Sequence, residues 1–261
     1  MITIKLSKMF KSSYNKILKT TVFAGMMLIL ATSCKKEQRP EIYPASLTIV
    51  NGINDTLSVL SAYFGKTQPA LYGKLAFINN CSSFDYATDK MDQPVTLYRN
   101  YDTLNAPFVK TSLQLEAGGI FTHFVYGSPG KVKQKTVKEQ LPHHSVNDSV
   151  AYLRVINLFE NRSVDVVQLE PVAETMVSDL AYEALSDFKK VPVNVSVKKF
   201  RFEVRDHATG TVLATMTETN SPPGSTVQNT MWLFRPRTMI VTGTWTAEGN
   251  FVAKAKSIGH F

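Results

Sequence analysis

From Ser46 onward the apolar residues fall at alternate positions over short stretches, the two-residue period of strands with one buried face. Leu47-Thr48-Ile49-Val50-Asn51 alternates in this way, and Gly52 with Asn54-Asp55 signals the turn that ends it. Leu113 and Leu115 alternate next, followed by Glu116-Ala117-Gly118-Gly119 and the aromatic run Ile120 to Tyr126, which predicts a hairpin. The clearest half-buried strand sets Phe200, Phe202 and Val204 on one face and Arg201, Glu203 and Arg205 on the other. Asp206 to Gly210 then supplies a loop into a further strand, Thr211 to Met216. One segment fits two patterns. Met176, Leu180, Ala184 and Phe188 recur every fourth position, as on an amphipathic helix, while Leu180, Tyr182 and Ala184 alternate, as on a strand.

The pattern also repeats along the chain. Leu47-x-Ile49-Val50-Asn51 is echoed by Leu153-x-Val155-Ile156-Asn157, and Ser83-Phe84 by Asp187-Phe188. Val95 to Tyr98 leads to Asp102 as Phe200 to Val204 leads to Asp206. A period of roughly one hundred residues is too long for a solenoid and fits two immunoglobulin-like sandwiches in tandem. The fold class expected is therefore all-β, with sandwich domains over 46–135 and 147–261 divided by the polar stretch Lys131 to Asp148.

The first 33 residues follow a different logic. Lys5, Lys8, Lys11, Lys16 and Lys19 precede an apolar run, Val22 to Leu30, that is too short to span a bilayer. Ala31, Thr32 and Ser33 then lead directly to Cys34. The order Leu30-Ala31-Thr32-Ser33-Cys34 resembles the lipobox of bacterial lipoproteins in the loose form found in Bacteroidota, with Ala31 where the stricter pattern has Leu. The resemblance implies cleavage after a signal peptide of residues 1–33 and acylation of Cys34. Several acyl chains on one residue hold a protein to a membrane that it does not span. Residues 34–45, with Pro40 and Pro44, read as a short extended tether. Lys35-Lys36-Glu37-Gln38 partly resembles a surface-export signal, so the expected location is the outer membrane, facing outward.

The second half resembles a family of immunoglobulin-like bacterial surface domains of unknown function. The residues that carry the likeness are Leu153-Arg154-Val155-Ile156-Asn157, Ser163-Val164-Asp165-Val166, Leu180-Ala181-Tyr182, and Phe200 to Asp206 continuing into Thr209 to Ala214. The first half matches less fully, with Leu57-Ser58-Val59 in place of the Val-Asp-Val strand. The resemblance implies tandem β-sandwiches at a membrane and makes 174–188 strand; it supplies no catalytic residue and no ligand.

Charge and chemistry narrow the function classes. The formal net charge of +8 falls to +3 once the leader's five lysines are set aside, and no basic stripe suggests a nucleic-acid partner. With Cys34 acylated, Cys81 remains as the one possible thiol, so no internal disulfide is expected; a buried inert thiol is. No Gly-x-Ser-x-Gly elbow, phosphate-cradling loop or Cys-x-x-Cys is present, and the expectation is a non-enzyme without cofactor or metal. His143-His144 with Asp148 reads as a solvated linker pair, and Asp206-His207 as turn formers. Tyr63, Phe64, Tyr72, Phe77, Phe84, Tyr86, Tyr98 and Tyr101 crowd the first half, where aromatics serve either a core or a sugar-stacking face. Asp55-Thr56-Leu57, Asp102-Thr103-Leu104 and Asp148-Ser149-Val150 resemble the O-glycosylation signal of Bacteroidota, which makes Thr56, Thr103 and Ser149 candidate acceptors. The expected function is a lipid-anchored envelope module that contacts glycan or a partner protein. The alternative is a fimbria-like architectural subunit assembling through strand pairing.

Overall fold

Alternation of apolar and polar residues becomes fifteen strands and no helix among the residues that the computed structural model describes, 43–55, 58–68, 77–100, 106–145, 147–194, 196–220, 231–245 and 250–260. The leader, Cys34, and the candidate acceptors Thr56 and Thr103 lie outside these, as do Tyr72 and Tyr101. Sheet I has the order β2-β4-β5, from Leu60–Phe64, Asp92–Arg99 and Val109–Gln114. Sheet II has the order β3-β1-β6-β7, from Ser82–Thr88, Ala45–Ile53, Ile120–Ser128 and Lys131–Lys138. Sheet III orders β11-β8-β14-β15, from Lys189–Pro192, Val150–Phe159, Pro236–Trp245 and Phe251–Gly259. Sheet IV orders β10-β9-β12-β13, from Glu174–Leu180, Val164–Glu170, Lys199–Asp206 and Val212–Thr219.

The repeat read in the sequence is a repeat of topology. In both halves the opening strand lies between a short antiparallel neighbour and a late parallel one: β1 between β3 and β6, β8 between β11 and β14. The echoed asparagines perform the same task. Asn51 donates through Nδ2 to the carbonyls of Ser58 (2.6 Å) and Ile78 (3.0 Å) and accepts from the Ile53 amide. Asn157 donates to the carbonyls of Arg162 (2.7 Å) and Leu180 (2.8 Å) and accepts from the Phe159 amide. Each side chain satisfies buried backbone groups where its strand leaves the ladder, groups that would otherwise be costly.

Two sandwiches in tandem follow, as the pattern predicts. Leu47, Ile49, Leu60, Ala62, Val95, Leu97, Leu113, Phe121 and Val125 fill the core between sheets I and II. Leu153, Val155, Phe159, Val166, Phe200, Phe202, Val204, Trp232 and Met239 fill the one between sheets III and IV. A third cluster draws on both sandwiches: Val50, Phe124 and Tyr126 from sheet II meet Ile156, Leu158, Ile240 and Ile258 from sheet III. The sheets thus stack in four layers, and residues 43–261 form one compact unit. Gly52 lets the two sandwiches approach closely, since a Cβ there would lie 2.8 Å from Leu158 Cδ1.

Polar contacts rim this third core. Arg154 on β8 reaches across to Glu139, just beyond β7, with Nη2 at 2.6 Å from both carboxylate oxygens, both side chains being buried. Its Nε donates to Thr238 Oγ1 (2.9 Å), which bonds His260 Nε2 (2.7 Å), and its guanidinium lies 4.5 Å from the centre of the Phe188 ring. Asn54 Nδ2 donates to the Gly243 carbonyl and Lys254 Nζ to Asn80 Oδ1, both at 2.9 Å.

Three expectations change. Leu113 and Ile120 do not begin the two arms of a hairpin, because β5 lies in sheet I and β6 in sheet II. Leu113 and Phe121 approach the same core from opposite sides, so the glycine turn carries the chain between sheets. The polar stretch from Lys131 opens with β7, which runs past 135 to Lys138 and pairs with β6 throughout. Finally, 174–188 is strand only over its first part: β10 ends at Leu180 after two register shifts, and a turn and the isolated Ile156–Leu185 bridge follow.

Candidate functional site

The outer face of sheet I gathers the most suggestive surface chemistry. Leu60, Ala62, Val95 and Leu97 point into the core, so the alternate residues Ser61, Tyr63, Thr96 and Tyr98 point out. The register continues across the sheet, with Thr96 opposite Lys110, Pro94 opposite Ser112 and Asp92 opposite Gln114. The rings of Tyr63 and Tyr98 meet edge to face, their centroids 5.0 Å apart and their planes at 77°. Both are half-buried, and Ser61 and Thr96 beside them are buried although they sit on the outer face. Lys110, Ser112 and Gln114 are exposed. Asp92 accepts hydrogen bonds from the Ser112 hydroxyl and, at 2.9 Å, from Gln114 Nε2. An apolar ring surface with hydroxyls and an amide alongside is the composition that stacks on a sugar face while bonding its hydroxyls.

The other first-half aromatics serve elsewhere. Phe64, Phe84 and Tyr86 cluster in the core of the first sandwich, with centroids 5.1–5.2 Å apart, and burial with neighbouring Asp85 raises the Tyr86 phenol well above its usual range. Phe77 is exposed. The face at Tyr63 was within reach of sequence reading, because Leu60, Ala62 and Phe64 already alternate with Ser61 and Tyr63.

The remaining candidates disperse. Cys81 is buried at the junction of the sandwiches, with Sγ 3.1 Å from Thr242 Oγ1, and burial raises its pKa against that bond and the nearby Lys254 and Lys256. An open groove of about 340 Å³ runs beside it, between Asn80 and Lys254, Ala255 and Lys256. The Lys254–Asn80 bond that joins the halves lies in this groove, which is a seam of the packing. His143 and His144 stack with planes 3° apart, and His144 stacks on Phe234. Ser149 is exposed, immediately before β8, and its carbonyl accepts from the Val193 amide. His207 does more than turn the chain: its Nδ1 lies 2.9 Å from Asp165 Oδ1, and this bond raises its pKa. Burial alone would raise Asp165, but bonds from the Asp179 amide, His207 and Ser178 outweigh it and lower the carboxylate. Among the described residues no group of three or more His, Cys, Asp or Glu is placed to hold a metal ion, and no helix is long and apolar enough to cross a membrane.

Edge strands bear on assembly. β7 carries Lys131, Lys133, Lys135 and Lys138, β11 carries Lys189, Lys190 and Pro192, and β10 is broken by its register shifts. Charges, proline and bulges on edges are the features that block strand addition.

No protein-family model and no curated protein matches the chain. Among solved structures it is similar to the fimbrial anchor protein Mfa2 from Porphyromonas gingivalis, at 6% identity over 83% of this chain and 98% of that one, with a TM-score of 0.29. It is also similar to the family 26 carbohydrate-binding module of Eubacterium rectale Amy13K, described in complex with maltoheptaose, at 9% identity over 84% and 97%, TM-score 0.24. A third likeness is to family 41 carbohydrate-binding modules from streptococcal virulence factors that recognise α-glucan, at 10% identity over 76% and 93%, TM-score 0.24.

Proposed function

We propose that this chain is a non-enzymatic binding module of the cell envelope, held to the outer membrane through acylated Cys34 and displayed at the cell surface. Its ligand is a glycan, and its contact surface is the outer face of sheet I. The observation that carries this reading is the half-buried Tyr63–Tyr98 pair, set on an outward sheet face beside exposed hydroxyl, amide and amine groups. Large rings placed where they fill no core cost solvation unless something covers them, and their faces suit the apolar side of a sugar ring. The exposed Ser149, with Thr56 and Thr103, is proposed to carry O-linked sugar. Assembly through strand pairing is the weaker alternative, because β7, β10 and β11 carry edge-blocking features.

A glycan array probed with the full chain in detergent tests the reading. Tyr63→Ala and Tyr98→Ala are each expected to weaken the bound signal about tenfold, the scale of losing one aromatic stacking contact of roughly 1–1.5 kcal/mol. Equal binding by wild type and both variants would remove the site from sheet I. The anchor is tested separately. Cys34→Ser should move the protein from the detergent phase to the soluble fraction, and protease treatment of intact cells should remove the body without lysis.

A further inference from the structure

We infer that the sugar taken by the sheet I face carries a carboxylate, making the ligand a uronic-acid-containing glycan; the inference rests on the glycan reading above. Tyr63 on β2, Thr96 on β4 and Lys110 on β5 are register neighbours in one row across the sheet. Two strand spacings separate Tyr63 from Lys110, about 10 Å between backbones. The long lysine stem covers part of that span, so a sugar stacked at the tyrosines brings a ring substituent within reach of the ammonium.

No described carboxylate answers this ammonium from within the protein. Lys110 is exposed and makes none of the ion pairs formed among the described residues. The acid on the same face, Asp92, stands four residues along β4 from Thr96, about 13 Å away. Its carboxylate is already engaged by Ser112 and Gln114. The tyrosine end of the face therefore carries the positive charge of Lys110, while the negative charge of Asp92 stands at the far end, its carboxylate held by Ser112 and Gln114. A carboxylate on the stacked sugar or on the next one completes the row: ring face to tyrosine, hydroxyl to Thr96 or Ser112, charge to Lys110. A sugar bearing an amine would face repulsion there, and a neutral sugar would leave the ammonium unanswered.

The test compares two ligands that differ in charge and in one methyl group per sugar. Full chain in detergent is titrated calorimetrically with a galacturonate oligomer and with the same oligomer methyl-esterified. Wild type should bind the acid form three- to fivefold more tightly, the range of a solvent-exposed ion pair. Salt at about 1 M should erase the difference. Lys110→Gln should bind the two forms equally, at the affinity of the wild type for the ester. Its exposed position leaves the fold intact, which circular dichroism checks. Tyr63→Ala should weaken both forms alike. Equal binding of acid and ester by wild type would overturn the carboxylate assignment while leaving the glycan reading standing, and so would a preference that survives in Lys110→Gln. Binding of sulfated but not carboxylated sugar would also overturn it. If neither oligomer binds and the array is blank, both readings fall together.

Discussion

Removing the Arg154 side chain should destabilise the whole 43–261 unit, and the size of the loss is set by what is left behind. Arg154 supplies two 2.6 Å bonds to Glu139, whose side chain is 0% exposed, and one to Thr238. Arg154→Met leaves a buried carboxylate with its charge uncompensated, a situation that costs about 3–5 kcal/mol. Against a total stability of about 5–15 kcal/mol for a folded domain, that is a large fraction. Replacing both partners removes the stranded charge. Glu139→Leu with Arg154→Met should therefore return stability to within about 1 kcal/mol of wild type or above it, since apolar replacement of a buried pair is often neutral or better. Urea unfolding followed by the fluorescence of Trp232, stacked on Phe200 at 4.2 Å in the second core, reports the loss. The midpoint should fall in the single variant and recover in the double one, with a single transition in each. A single variant that loses less than about 1 kcal/mol, or a double variant as weak as the single, would refute the reasoning.

Acid should weaken the fold through two buried histidines. Burial pushes both His123 and His260 down to about 4, from about 6.5 in the unfolded chain, so the unfolded state binds more protons between these values. Stability from their neutral forms is complete above about pH 6.5 and is lost as pH falls towards 4, by up to about 3 kcal/mol each; a melting temperature that stays flat from pH 7 to 5 would contradict this. His207 acts in the opposite sense: Asp165 raises its pKa, so its contribution is full below the unfolded value and fades as pH rises through the raised one, and His207→Gln should remove that alkaline slope. Asn51→Ala and Asn157→Ala each strip hydrogen bonds from three buried backbone groups and should cost about 3 kcal/mol apiece, read as equal drops in urea midpoint. Protease cutting between Glu139 and Ser149 should give two fragments that elute together, because the third core spans both; separate elution of folded halves would argue against that core.

What the sequence revealed depended on how each strand is solvated. β12 was legible because its outer face meets water, so Arg201, Glu203 and Arg205 interrupt Phe200, Phe202 and Val204. β1 and β8 lie in the two middle layers, where both faces are covered, and their burial is nearly continuous. Alternation there records a chemical pattern and misses half the contacts: Val50 and Ile156 face the neighbouring sandwich. Glycine turns between strands do not state whether the chain folds back or crosses over, which is why β5 and β6 looked paired. The ambiguous apolar spacing around Met176 follows from the register shifts of β10, which move buried positions off a strict period of two. Tyr63 could be placed by alternation, whereas Tyr98 and Lys110 join it only through register between strands, which composition and spacing do not encode.

The third core also constrains how a protein of this kind can be lengthened or shortened over generations. Either sandwich alone would present an apolar sheet to water, with Val50, Phe124 and Tyr126 on one half or Ile156, Leu158 and Ile240 on the other. Each such side chain gains about 1.5–3 kcal/mol from being covered. Loss or transfer of a single repeat would thus create a sticky, insoluble product, whereas copying both together would leave every face matched. Gene rearrangements should preserve this module in whole pairs, with the duplicated halves inherited as one unit.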